Sequence, residues 1–135
     1  MEVYADSFYW IALLNEADQY HLQVLQTKIK GRLTSSVAVQ LEVLDAFSND
    51  MKLRSNAKYF WDYCSTDNSV IIISLESALL EKAMQLFQSR IDKYWSFTDC
   101  ISFVIMQERN ITMALTADQH FRQAGFEIAF PVSDS

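Results

Sequence analysis

Residues 95 to 121 read Trp-Ser-Phe-Thr-Asp-Cys-Ile-Ser-Phe-Val-Ile-Met-Gln-Glu-Arg-Asn-Ile-Thr-Met-Ala-Leu-Thr-Ala-Asp-Gln-His-Phe, and the reading of the fold starts from them. The spacing predicts a helix and then a short strand. Ser96 or Thr98 caps the helix, Asp99 lies in its first turn, and Ile101, Val104, Ile105 and Met106 supply an apolar face. The helix ends near Arg109-Asn110. Ile111 to Leu115 then reads as a short buried strand, and Thr116-Ala117-Asp118 leads out of it into another helix. An aspartate just past the carboxyl end of a buried strand lies on the edge where open α/β sheets bind ligands. Any partner acid must come from elsewhere in the chain.

Working outward, the same grammar recurs. Met1 to Asp6 is a strand ending on an acid, and Phe8 to Leu14 is a strongly apolar first helix. Asp18 is expected to cap a second helix that stops at Gly31. Arg32 to Ser35 is a second strand, and Ser36 caps a helix from Val37 to Phe47. A further helix covers residues 50 to 65. Val70 to Ile73 is the clearest strand, with the look of a parallel strand buried on both faces, and Ser74 is expected to cap the amphipathic helix after it. Glu127 to Ala129 reads as a last edge strand. Strands and helices alternate without hairpin turns, which predicts an α/β fold: three layers, α/β/α, around a mostly parallel sheet of four or five strands. At 135 residues the chain is expected to form one domain, residues 1–135.

Composition narrows the function. Two Gly and one Pro leave no room for a glycine-rich phosphate loop, and no apolar run approaches a membrane span of about 20 residues. The first residues lack the basic start and long apolar stretch of a secretory signal, so the expected location is cytoplasmic. Cys64 and Cys100 have no metal-ligand spacing, and His21 and His120 stand apart in sequence, which argues against zinc. The net charge of −6, taken alone, argues against a polyanionic partner. Two divalent cations held by clustered carboxylates add four charges and bring it to −2.

The topology brings Asp6 and Asp118 to one sheet edge, and Asp99 reaches it if its helix packs there. Glu42 is the fourth candidate. Its helical neighbours Ala38, Val39 and Ala46 are small and apolar, so its carboxylate emerges from a buried stripe, whereas Asp45 is flanked by Ser48 and Asn49 and reads as solvated. Two unit charges about 4 Å apart repel by about 4 kcal/mol at an effective dielectric of 20. No Lys or Arg lies within three residues of Asp6, Asp99 or Asp118 to relieve this. A hard divalent cation, Mg²⁺ or Mn²⁺, is the simplest remedy. His120 reads more readily as a packing or solvated helix residue than as a ligand.

With Asp6, Glu42, Asp99 and Asp118 in this order, the chain resembles a PIN domain of the VapC type, the ribonuclease toxins of toxin–antitoxin pairs. The matching pieces are Ala5-Asp6-Ser7, Glu42, Ser96-Phe97-Thr98-Asp99 and Thr116-Ala117-Asp118-Gln119-His120-Phe121, and they span essentially the whole chain. The resemblance implies an endoribonuclease dependent on Mg²⁺ or Mn²⁺, usually a homodimer and usually held inactive by a cognate antitoxin. It implies that the four acids bind metal and do the chemistry, with Thr116 and Ser7 in support. Lys52, Arg54 and Lys58, or Arg90 and Lys93, are the candidates for holding the RNA backbone. The alternative is a non-catalytic PIN-fold interaction module; the intact acids argue for the enzyme.

Overall fold

The computed structural model describes residues 1–132. In chain order its elements are strand β1 (Glu2–Ala5), helices α1 (Ser7–Leu14) and α2 (His21–Gln26), strand β2 (Arg32–Ser36), helices α3 (Val37–Ala46) and α4 (Met51–Thr66), strand β3 (Val70–Ile73), helices α5 (Ser77–Ser89) and α6 (Phe97–Glu108), strand β4 (Met113–Leu115), helix α7 (Gln119–Gln123) and strand β5 (Glu127–Ile128). The five strands lie in the order β3-β2-β1-β4-β5, and every pairing is parallel. β1 is the central strand, so Asp6 leaves the sheet at its middle.

Alternation along β1 and β2 explains why both faces carry helices. Tyr4 pairs with Thr34 in the ladder and shares its face, where Glu2 also points. On that side Tyr4 meets Ser102 of α6, and Glu2 meets Arg109 at the end of α6. On the opposite side Ser35 accepts from Trp10 Nε1 of α1. The helical layers are thus pinned to the sheet by buried side chains as well as by the apolar core.

Local chemistry sets the element ends that matter for the site. Ser36 Oγ accepts from Val39 N at 3.2 Å and starts α3 as soon as β2 ends. Ser96 and Asp99 form a reciprocal capping box at the head of α6. Gly31 adopts φ +115°, and a Cβ there would sit 2.9 Å from the Met1 carbonyl oxygen, so the entry into β2 requires glycine.

Three expected boundaries are corrected. Asp18 does not cap α2: its Oδ1 accepts from Tyr20 N in a turn, and the helix begins only at His21. That helix ends at Gln26 rather than at Gly31, and an extended stretch fills the gap. Ser74 does not cap α5; the cap position is Glu76, two residues later. β3 is a parallel strand but lies at the sheet edge, where only Val70 is fully buried. A run of β-branched residues satisfies a half-covered edge as readily as a central strand.

Candidate active site

Each acid is delivered by a different element. Asp6 ends β1 and occupies the N-cap position of α1, and it is 7% exposed. Glu42 projects from α3 and is half-buried, Asp99 stands in the first turn of α6, and Asp118 is the N-cap of α7, its Oδ1 accepting from His120 N. Asp45, one turn from Glu42, is exposed.

A continuous chain of hydrogen bonds joins three of the acids. Thr116 Oγ1 donates to Asp6 Oδ2 at 3.0 Å and accepts from Asp118 N at 3.0 Å. Asp118 Oδ1 accepts from His120 N at 2.9 Å, and His120 Nδ1 lies 2.9 Å from Asp99 Oδ2. The same Asp99 oxygen accepts from Ser96 N, which holds the carboxylate in its rotamer. Thr116, a buried residue, therefore orients both Asp6 and the turn that carries Asp118. Glu42 joins the cluster electrostatically, through the charges of Asp99 and Asp118.

Electrostatics mark Asp6 and Glu42 out. Burial is the main cause that pushes the Asp6 carboxyl up to about 7, and the nearby charges of Glu42 and Asp99 add to it against the hydrogen bonds from Ser7 and Thr116. Burial also raises Glu42, helped by the charges of Asp99 and Asp118 and opposed by Ser7. These cross-couplings place all four carboxylates in one field. Among the described residues none of the four pairs with Lys or Arg. One oxygen each of Asp99 and Asp118 and one nitrogen of His120 lie within 4.8 Å of one another, close enough to share an ion. Carboxylate oxygens suit Mg²⁺ or Mn²⁺, an imidazole suits transition metals, and the lack of a thiolate sets the group apart from the Cys-rich sets of structural zinc. The donor set fits a metal ion.

The protein that carries this edge can be placed in a family. A family model described as PIN domain matches residues 3–127. The chain belongs to the PIN domain family. No curated protein matches it by sequence. This PIN domain superposes on Mycobacterium tuberculosis VapC20, described as a sarcin–ricin-loop-cleaving toxin, with a TM-score of 0.82. The alignment covers 92% of this chain and 95% of that one at 22% identity. A chain of Rickettsia felis VapBC2 bound to a promoter DNA fragment gives 0.68 over 96% and 98% at 12% identity. A chain of FitAcB from Neisseria gonorrhoeae gives 0.67 over 96% and 97% at 11% identity. The VapC-type fold expected from the sequence is thus the observed fold.

Two features of this PIN domain escaped the sequence reading. His120 is no bystander: its ring bridges Asp99 and Asp118, with Nδ1 3.6 Å from Asp118 Oδ1. The available signal was its position two residues after an acid at a strand exit. The second is Tyr4, fully buried, whose hydroxyl lies 2.7 Å from Ser102 Oγ and donates to Ser36 Oγ at 3.1 Å. It ties together β1, the start of α3 and the helix α6, the elements that carry Asp6, Glu42 and Asp99. Nothing in local sequence announces that contact. His21, by contrast, is structural, with Nδ1 2.7 Å from the Ala12 carbonyl oxygen.

Of the cations considered for the RNA backbone, Lys58 is engaged by Asp62 and Arg90 by Asp92. Lys52 and Lys93 make no ion pair among the described residues. No helix among the described residues is long and apolar enough to cross a membrane.

Proposed function

We propose that this PIN domain is a divalent-metal-dependent endoribonuclease, the toxin of a toxin–antitoxin pair, with Asp6, Glu42, Asp99 and Asp118 as its catalytic and metal-binding acids. The observation that carries the reading is the convergence of four carboxylates on one sheet edge with, among the described residues, no Lys or Arg paired with any of them and a single imidazole, His120, beside Asp99 and Asp118. Such an arrangement is costly unless a cation occupies it or protons do.

A bound divalent cation supplies Lewis acidity: it polarises a phosphoryl oxygen and lowers the pKa of a water. Asp99 and Asp118 are the residues best placed to hold it, with Glu42 and Asp6 completing the negative field. Thr116 fixes one Asp6 oxygen by donation. His120 Nδ1 lies against both Asp99 and Asp118 and fixes the two carboxylates relative to one another. Exclusion of Lys and Arg from the pocket keeps the acids available to the cation instead of locking them in ion pairs.

The likeness to VapC20, described as cleaving the sarcin–ricin loop, supports RNA as the substrate. The likeness to chains of VapBC and FitAcB assemblies supports a cognate antitoxin partner, and the family expectation of a homodimer goes with it. Thr116 and Ser7 act as supporting residues, and the cofactor is Mg²⁺ or Mn²⁺.

The test is cleavage of a mixed cellular RNA pool with Mg²⁺, Mn²⁺ or EDTA, comparing wild type with Asp6→Asn and Asp99→Asn. The expected outcome is metal-dependent cutting that both substitutions reduce by at least about a thousandfold. A wild-type protein that binds no divalent ion by calorimetry and cuts nothing would sink the nuclease and put the interaction module in its place.

A further inference from the structure

The loop between α5 and α6 bounds a cavity of about 360 Å³ that the chemistry above does not use. Phe87, Ile91, Tyr94 and Trp95 supply its apolar walls, and Arg90 and Lys93 line it as well. Its position is set by the site. Trp95 immediately precedes Ser96, whose cap holds Asp99, and Trp95 Nε1 donates to Gln123 Oε1 of α7 at 3.0 Å. The edge-on contact of Trp95 with Phe103, at 5.0 Å between ring centroids, ties the same wall to α6. The cavity and the acid cluster therefore share one rigid frame made of the head of α6 and the helix after Asp118.

Three observations say what the cavity takes. Tyr94 is 92% exposed and Ile91 85%, so an aromatic ring and an aliphatic side chain face solvent at its mouth. The Arg90 guanidinium lies 5.0 Å above the Trp95 ring, held there by Asp92, which engages Nε and Nη2. Nη1 has no carboxylate partner among the described residues, and Lys93 makes no ion pair among them. Residues 90–95 thus carry two cations against one acid in a chain of net charge −6. A flat ring surface beside unspent positive charge complements a base and its phosphate, and an apolar peptide would leave that charge unused.

We propose that this pocket is a nucleobase subsite: one unpaired base flanking the scissile phosphate stacks on Tyr94, and Lys93 with Arg90 contacts the adjoining phosphate. The inference rests on the ribonuclease reading and sharpens it, because stacking on Tyr94 requires a base that is not paired.

The experiment measures binding of a fluorescein-labelled eight-nucleotide single-stranded RNA and of the same sequence in a duplex, by anisotropy, in an Asp6→Asn background. Steady-state cleavage of the single strand is followed in the otherwise wild-type chain. Tyr94→Ala is expected to weaken single-strand binding about tenfold, Tyr94→Phe to leave it unchanged, and neither to alter duplex binding. Lys93→Ala is expected to lower the slope of log affinity against log salt by about 0.7. In cleavage, Tyr94→Ala should raise KM with kcat nearly intact. Equal losses on single strand and duplex, or no loss with Tyr94→Ala while the wild-type chain still cleaves, would overturn the subsite and leave the nuclease standing. A wild-type chain that cleaves no RNA removes the nuclease reading and the subsite with it.

Discussion

Glu2 and Asp6 stand at the two ends of the same strand, and the chain treats them in opposite ways. Glu2 accepts from Thr34 Oγ1 and from Arg109 Nε at 3.0 Å, and those two partners hold its carboxyl below the ordinary value. Asp6, at the other end of β1, is raised by burial and by further acids, and its hydrogen-bond partners are uncharged. One edge of the sheet neutralises its acid from within the chain. The other edge collects acids and leaves their neutralisation to something from solution. The difference separates a carboxylate paired within the fold from one left without a charged partner, and it marks Asp6 out more sharply than burial alone, because buried acids are ordinarily paired.

The largest expected effect tests the functional edge directly. Asp6→Asn should abolish measurable Mn²⁺ binding by calorimetry and, at pH 8 without metal, raise the melting temperature by about 5 °C, since a buried charge is removed. Unchanged metal affinity would break the contrast between the two edges. Next comes Tyr4→Phe, which keeps the ring and removes the hydroxyl that joins three acid-bearing elements. Metal affinity should fall about tenfold, the usual scale for a residue that orients ligands without touching the ion. If it falls no more than it does for a substitution of similar stability cost elsewhere in the core, Tyr4 is only packing.

The pH dependence of the metal-free protein is a smaller effect of defined sign. A carboxyl raised from 3.8 to about 7 keeps its proton in the folded chain where the unfolded chain has lost it. Folded protein then binds more protons, so stability falls as pH rises between those values. Glu42, also raised, adds in the same direction. Denaturant melts from pH 4 to 8 in EDTA should show this slope, and Asp6→Asn should flatten it. Glu2 runs the other way: its carboxyl is lowered, so its contribution is present above its ordinary value and is lost as pH falls through the lowered one. The smallest effect belongs to Arg109→Met, which breaks the partly exposed pair with Glu2. It should cost no more than about 1 kcal/mol and leave metal binding untouched. A loss of Mn²⁺ affinity in that variant would mean the two edges are coupled.

Much of this was legible in the order of residues. Acids after the first and fourth strands, alternation of strands and helices, and the absence of hairpin turns were enough for the parallel sheet and its acidic edge. Asp6 and Asp118 could be paired from topology alone, because parallel strands share their carboxyl edge. The boundaries of α2 and α5 were not legible. Asp18 and Ser74 have the chemistry of caps, yet each lies in the connection that precedes its helix by a few residues. A capping residue signals that a helix start is near without fixing which residue is first.

What the sequence determined by itself was the fold class and the acidic edge, since these depend on residue type and on periodicity. What only the tertiary structure decided was which side chains meet across elements. His120 reaches Asp99 because α7 packs against α6 through Phe121 and Phe103, and Tyr4 reaches Ser102 across ninety-eight positions because both face the same layer. The place of β3 at the sheet edge and the cavity under the loop between α5 and α6 belong with them. Contacts of that range are set by how helices seat on a twisted sheet, a property of summed packing that no local pattern encodes.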